Sequence, residues 1–234
     1  MLTIVTWLWK GSAWRSCYAA EHVNALERMV AANLTIPHRF ICVTDIPEGI
    51  NCPTVPLDWE IKTNTPERQA NCYRRLKAFS EDSRSWLGDR FVSIDLDVVV
   101  MKDITPIIDR PQDDFVILEG TAAPYNGSMW MMDTGCRRKV WDDFVPDSSP
   151  QKVQALSNQA GGRRYYGSDQ AWISAKLPHE KMWTRKDGIY QFQADIDKGL
   201  PFPADARMVF FAGGMKPWSQ AGFTVLANEY NKYV

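Results

Sequence analysis

The chain has 234 residues, 45% hydrophobic and 24% charged, so it is an ordinary globular composition long enough to bury a core without disulfide staples. A net charge of −1 excludes a global basic field for nucleic acid, and no run of about 18 apolar residues is present to cross a bilayer. The five cysteines are odd in number and lack any Cys-x-x-Cys spacing, which argues against a zinc site and for reduced thiols. With no basic region preceding an apolar leader, a cytoplasmic protein is expected, folded as one domain over residues 1–234.

Residues 2–9 (LTIVTWLW) are rich in β-branched and aromatic side chains and predict a buried strand, broken by Lys10-Gly11-Ser12. From Ser16 to Ala32 the apolar positions Val23, Leu26, Met29 and Val30, with Tyr18 and His22, share one face of a helix. Arg39–Thr44 predicts a second buried strand, which completes a βαβ unit and seeds a parallel sheet. Thr65 and Pro66 stand where a helix N-cap and first turn belong, and that helix is expected to run to Phe79. Phe91–Met101 predicts one long hydrophobic strand interrupted only by Asp95 and Asp97. Two more strands are expected over 114–119 and 127–133, a helix over 136–144, and a polar loop over 146–162. A helix capped by Ser168 extends to Leu177, a short strand covers 208–211, and the chain closes in a helix over 222–234.

The central constellation is Asp95-Leu96-Asp97. Two carboxylates in a Val/Ile/Phe run are costly to bury, because each loses hydration and the pair repels. Along a strand, residues two apart share a face, so the pair is expected to converge into a seat for a hard divalent cation. In an open parallel sheet that seat falls at the carboxyl ends of the strands, where ligands bind. A nucleoside diphosphate is a poor leaving group until its charge is neutralised, and Mn²⁺ or Mg²⁺ does this as a Lewis acid.

In motif order the chain resembles the glycogenin-like, family 8 type retaining glycosyltransferases of the GT-A fold, including bacterial and phage members. Six segments carry the resemblance beyond the N-terminal strand: RFICVTD, NCYRRLKAF, FVSIDLDVVV, YNGSMWMMDTG, GSDQAWISAKL and FFAGGMKPW. It implies a mixed, mostly parallel sheet flanked by helices, with a Rossmann-like half for the nucleotide. It also implies a nucleoside-diphosphate sugar as donor, UDP being the family's usual nucleotide, and transfer of a hexosyl group to a saccharide or protein acceptor. By the same resemblance Thr6 and Trp7 hold the base, and Arg75 or Lys77 contacts the donor. Asn126 lies beside the donor sugar, Asp95 and Asp97 hold Mn²⁺ or Mg²⁺, and Asp169 and Gln170 face the reacting centre. Gly213, Gly214 and Lys216 would close over the diphosphate. Tyr165 and Tyr166, beside Arg163 and Arg164, are candidates for an acceptor rim.

One departure stands out. The family completes its metal site with a histidine a few residues before the lysine, whereas this chain has Phe210, Phe211 and Ala212 there. Metal binding is therefore expected to be weaker and to depend on the donor. Two other readings compete. The missing ligand is compatible with a nucleotide-sugar-binding protein that has lost turnover. A sugar nucleotidyltransferase would share the sheet, but residues 7–15 offer one glycine where a triphosphate-cradling loop needs several.

Overall fold

The computed structural model describes residues 1–11, 18–63, 72–121, 123–159, 168–196, 201–219 and 224–234. The helix opening at Thr65-Pro66, Cys17 and the rim candidates Arg163, Arg164, Tyr165 and Tyr166 lie outside these residues.

Strand β1 (Leu2–Leu8) is followed by the Ala20–Asn33 helix and by β2 (His38–Thr44), which pairs parallel to β1 from Leu2↔His38 to Leu8↔Thr44. A short β3 (Thr54–Pro56) extends this edge. On its other side β1 pairs parallel to β4 (Arg90–Ile94). The hydrophobic run expected as one strand divides after Ile94. Residues 95–97 form a bend, and β5 (Val98–Val100) leaves for a second sheet. Strands β6 (Phe115–Glu119) and β7 (Tyr125–Asp133) form an antiparallel hairpin that returns beside β4. Three short strands follow: β8 (Lys181–Trp183), β9 (Ile189–Gln191) and β10 (Met208–Phe210).

Among the described residues the main sheet runs β3-β2-β1-β4-β7-β6-β8, mixed but mostly parallel, and the smaller one runs β5-β10-β9. The main sheet is buried on both faces, as alternate residues of its strands show. Ile4, Val92 and Met131 face the Ala20–Asn33 helix and the small sheet. Val5, Phe91 and Trp130 face Leu76, Phe79 and Trp172.

Two local expectations change. Residues 149–159, in the stretch read as polar loop, form a helix whose Val153 packs into the core although most of its surface is exposed. Ser168 ends the backbone path into the Asp169–Lys176 helix without capping it by its hydroxyl. Its carbonyl accepts from Ala171 and Trp172, while the Asp169 carboxylate takes the Gln170 amide at 2.8 Å.

Candidate active site

The site is assembled around the bend at 95–97, at the carboxyl end of β4, beside the ends of β1 and the start of β7. The amide of Asp95 donates to the Ser128 carbonyl at 2.9 Å, which holds the bend against β7. Because the bend joins two sheets, the nearness of Asp95 and Asp97 comes from a turn of the chain, not from the alternation of a single strand.

Each carboxylate meets a buried cation. Arg75, on the 3₁₀ segment Cys72–Phe79, places Nη1 on Asp95 Oδ1 and donates to the Gly127 carbonyl at 3.0 Å. Its Nε and Nη2 grip Asp169 Oδ2 at 2.8 and 2.6 Å, and the guanidinium lies 5.3 Å from the centre of the Trp130 ring. Burial works against the Arg75 charge, but the Asp169 and Asp95 carboxylates outweigh it and hold its pKa above the usual arginine value. Burial pushes Asp95 up to about 6 against the opposing pull of Arg75, with Asp97 adding to the rise. Asp169 is also raised, chiefly by burial, with Arg75 opposing.

On the other side of the bend, Lys216 Nζ lies 2.6 Å from Asp97 Oδ2. The Tyr18 hydroxyl donates to the same oxygen at 2.8 Å and itself accepts from Lys216. The segment carrying Lys216 is anchored at both ends. Phe211 N donates to the Asp97 carbonyl at 2.9 Å, and Trp218 stacks on His22 with ring centres 3.7 Å apart. Between these anchors, Gly213 has a φ of +60°, and among the described residues a Cβ at Gly213 or Gly214 would meet nothing within 4 Å. The backbone there faces open space, as a peptide that must approach a ligand requires.

Gly127 is held to its identity by packing. A Cβ there would come within 3.0 Å of Arg75 Nη2 and 3.3 Å of Gln170 Cβ, while its amide donates to Gln170 Oε1 at 3.2 Å. Asn126 accepts from Ser128 N through Oδ1 and donates through Nδ2 to Gln191 Oε1 at 3.1 Å. The Gln191 amide in turn donates to the Glu119 carbonyl at 2.8 Å. Beyond Gln191 opens a cavity of about 490 Å³, lined in part by Glu119, Thr121, Thr184, Arg185 and Asp195.

The structure thus brings together Asp95, Asp97, Arg75, Asn126, Asp169, Gln170 and Lys216, with Gly213 and Gly214 alongside. It places others elsewhere. The Thr6 hydroxyl is spent on the Ile94 carbonyl at 2.8 Å, and the Trp7 indole donates to Ser93 while packing edge-on to Trp59 and Trp86. Both are buried. Lys77 pairs with Asp82 at 3.2 Å and lies over Trp141, so Arg75 is the basic residue of that segment at the carboxylates. Sequence reasoning passed over Tyr18, read only as one position of a helix face, and Gln191, which no motif marked.

In kind, two adjacent carboxylates suit a hard divalent cation. In number they are a minimum: among the described residues no group of three or more His, Cys, Asp or Glu is placed to hold a metal ion, and Asp169 is taken up by Arg75 and the Gln170 backbone amide. At the position of the absent histidine, Phe211 is buried and stacks on Phe192 with centres 4.6 Å apart, while Ala212 is exposed.

No family model and no curated protein matches the chain. Solved structures do. The galactosyltransferase LgtC, in complex with donor and acceptor sugar analogs, superposes with a TM-score of 0.56 at 14% identity over 99% of this chain and 96% of its own. The glycosyltransferase GlyE of Streptococcus pneumoniae TIGR4 superposes with a TM-score of 0.60 at 12% identity, over 98% of this chain and 61% of its own. The fold is therefore the GT-A type, a mixed, mostly parallel sheet flanked by helices.

Proposed function

We propose that the chain is a single-domain glycosyltransferase that moves a hexosyl group from a nucleoside-diphosphate sugar, a UDP-sugar, to a saccharide acceptor with retention of configuration. The observation that carries this reading is the cluster of Arg75, Asp95, Asp97, Asp169, Gln170 and Lys216 at the carboxyl end of β4 in a GT-A fold. Asp95 and Asp97 would hold Mn²⁺ or Mg²⁺, which supplies Lewis-acid neutralisation of the departing diphosphate.

The chain's own groups do the rest. Lys216 sets a point charge beside the diphosphate, and the open backbone at Gly213 and Gly214 admits close approach of its oxygens. Asn126, bonded to Gln191 and Ser128, would stand beside the sugar, and the cavity beyond Gln191 is large enough for a saccharide acceptor. Asp169 is 2% exposed, with one oxygen taken by Arg75 and the other by the Gln170 amide. These bonds support a positioning role for Asp169, holding Arg75 against Asp95. They favour front-face attack, with the leaving phosphate taking the acceptor proton, over a double displacement through this carboxylate.

The test is transfer and donor hydrolysis across a panel of UDP-sugars with Mn²⁺. Asp95→Asn and Asp97→Asn are each expected to lower the rate by roughly a hundredfold or more, the scale of a lost electrostatic contact in the transition state. Wild-type rates in both variants would reject the assignment. Nucleotide-sugar binding without turnover on any acceptor would instead identify a binding protein, a reading favoured by the Phe211 position.

A further inference from the structure

The pairing of Lys216 with Asp97 has a consequence for how the site is loaded. The geometry points to Lys216 as an exchangeable internal counter-ion: without donor its ammonium occupies the cation position on Asp97, and the donor diphosphate draws it away so that a divalent ion can take its place. This rests on the glycosyltransferase reading given above and adds to it an order of events and a residue that enforces it.

Four observations carry it. First, Lys216 Nζ and the hydroxyl of Tyr18 both address a single oxygen, Asp97 Oδ2, so that lone-pair space is filled from within the protein. A divalent ion bound to that oxygen would lie at contact distance from an ammonium, and the two would repel in a site where Lys216 and Asp97 are only 7% and 8% exposed. Second, the three carboxylates Asp95, Asp97 and Asp169 face two cations, Arg75 and Lys216, which leaves one net negative charge. That is a weak lure for a metal alone, and a poor host for a diphosphate alone. Third, the ammonium sits on a flexible four-carbon stem while the Lys216 backbone stays bonded to Ser219, and among the described residues a Cβ at the nearby Gly213 or Gly214 would meet nothing within 4 Å, so there is room beside it for a phosphate to which it can turn. Fourth, Arg75 cannot play this part, because Asp169, Asp95 and the Gly127 carbonyl hold its fork from three sides.

Each ligand therefore clears the way for the other. The diphosphate removes the charge that blocks the metal, and the metal supplies the charge that the diphosphate needs. By linkage the enhancement is equal in both directions.

The experiment measures Mn²⁺ affinity by calorimetry or by the manganese EPR signal, with and without UDP, on the wild type, Lys216→Met and Tyr18→Phe, with folding checked by circular dichroism. The wild type is expected to bind Mn²⁺ at least about thirtyfold more tightly with UDP than without, a coupling within the usual range. Lys216→Met is expected to bind Mn²⁺ alone about tenfold or more tighter than the wild type and to lose most of the UDP enhancement. Tyr18→Phe, which keeps the lysine but removes one bond from its seat, is expected to fall between them, and it serves if the lysine variant does not fold. Mn²⁺ affinity without UDP that is unchanged or weaker in both variants would overturn the counter-ion role while leaving UDP binding, and the transferase reading, intact. UDP binding with no Mn²⁺ binding to any protein would overturn it too. Absence of UDP binding to the wild type under every condition would overturn both.

Discussion

At the scale of single residues, Arg75 does more than any other side chain. Its guanidinium joins the 3₁₀ segment, the 95–97 bend, β7 and the Asp169–Lys176 helix through Asp95, Gly127 and Asp169. Removing it strands the buried carboxylate of Asp169 and the half-buried one of Asp95, so Arg75→Ala should cost about 3–5 kcal/mol, read as a fall in thermal or denaturant midpoint. Arg75→Lys keeps the charge but loses the fork, and should fall between Ala and wild type in stability while still failing in transfer. A smaller change tests positioning alone. Gly127→Ala puts a methyl 3.0 Å from Arg75 Nη2, and the expected result is a rate loss on the order of tenfold to a hundredfold with a modest change in midpoint. A midpoint collapse without a specific rate effect would show that Gly127 serves the fold and not the site.

At the scale of elements, the C-terminal segment behaves as a strap. Tyr18, His22, Trp218 and Tyr230 form an aromatic cluster that ties it to the start of the Ala20–Asn33 helix. Trp218→Ala should therefore loosen Lys216 and weaken UDP affinity by about tenfold in a binding titration, since a displaced charge contact of this kind is worth on the order of 1–2 kcal/mol. Unchanged affinity would mean that the strap is held by Phe211 alone. Much of this layout was legible in the sequence. Long runs of β-branched residues marked β1, β2 and β4, and turn residues bounded the β6–β7 hairpin. The split of β4 from β5 was not legible, because a hydrophobic run does not say which sheet each half joins. Nor was the helix at 149–159, whose apolar positions are few. At the site, the motifs drew attention to Asp95, Asp97, Asp169 and Lys216. What they could not convey was pairing: that Arg75 and not Lys77 turns inward, that Trp7 is spent on Ser93, and that Tyr18 meets Asp97 depends on contacts between distant parts of the chain.

For the whole molecule, the far edge of the main sheet contributes to the acid response. Asp113 has a fully buried carboxylate bound by Lys181 and Arg110, and its pKa is lowered, mainly by the Lys181 hydrogen bond, with burial opposing. A carboxyl whose folded pKa lies below its unfolded value binds more protons when unfolded. Its contribution is therefore complete above the unfolded pKa and is lost as the pH falls through the folded one. Urea midpoints should drop as pH falls below about 4, the model-peptide range for aspartate, and Asp113→Asn should lower the midpoint at pH 7 and flatten that acid limb. An Asp113→Asn limb parallel to the wild type would assign the acid response to other carboxylates.

The partners at the bend also differ greatly in their order of synthesis. Lys216 meets Asp97 across 119 positions of sequence, and β10, which leads into the Phe211 link to Asp97, pairs with a strand made more than a hundred residues earlier. A ribosome-bound chain that has released β1 through β7 already contains Asp95 with its partner Arg75, but Asp97 still has neither the lysine nor the strap to compensate it. The half built from β1 through β7 can gather first, as N-terminal segments do during translation. The pairing of Asp97 must wait until Lys216 emerges, so this side of the bend is completed long after its carboxylate is made, by the same short segment that later has to let go.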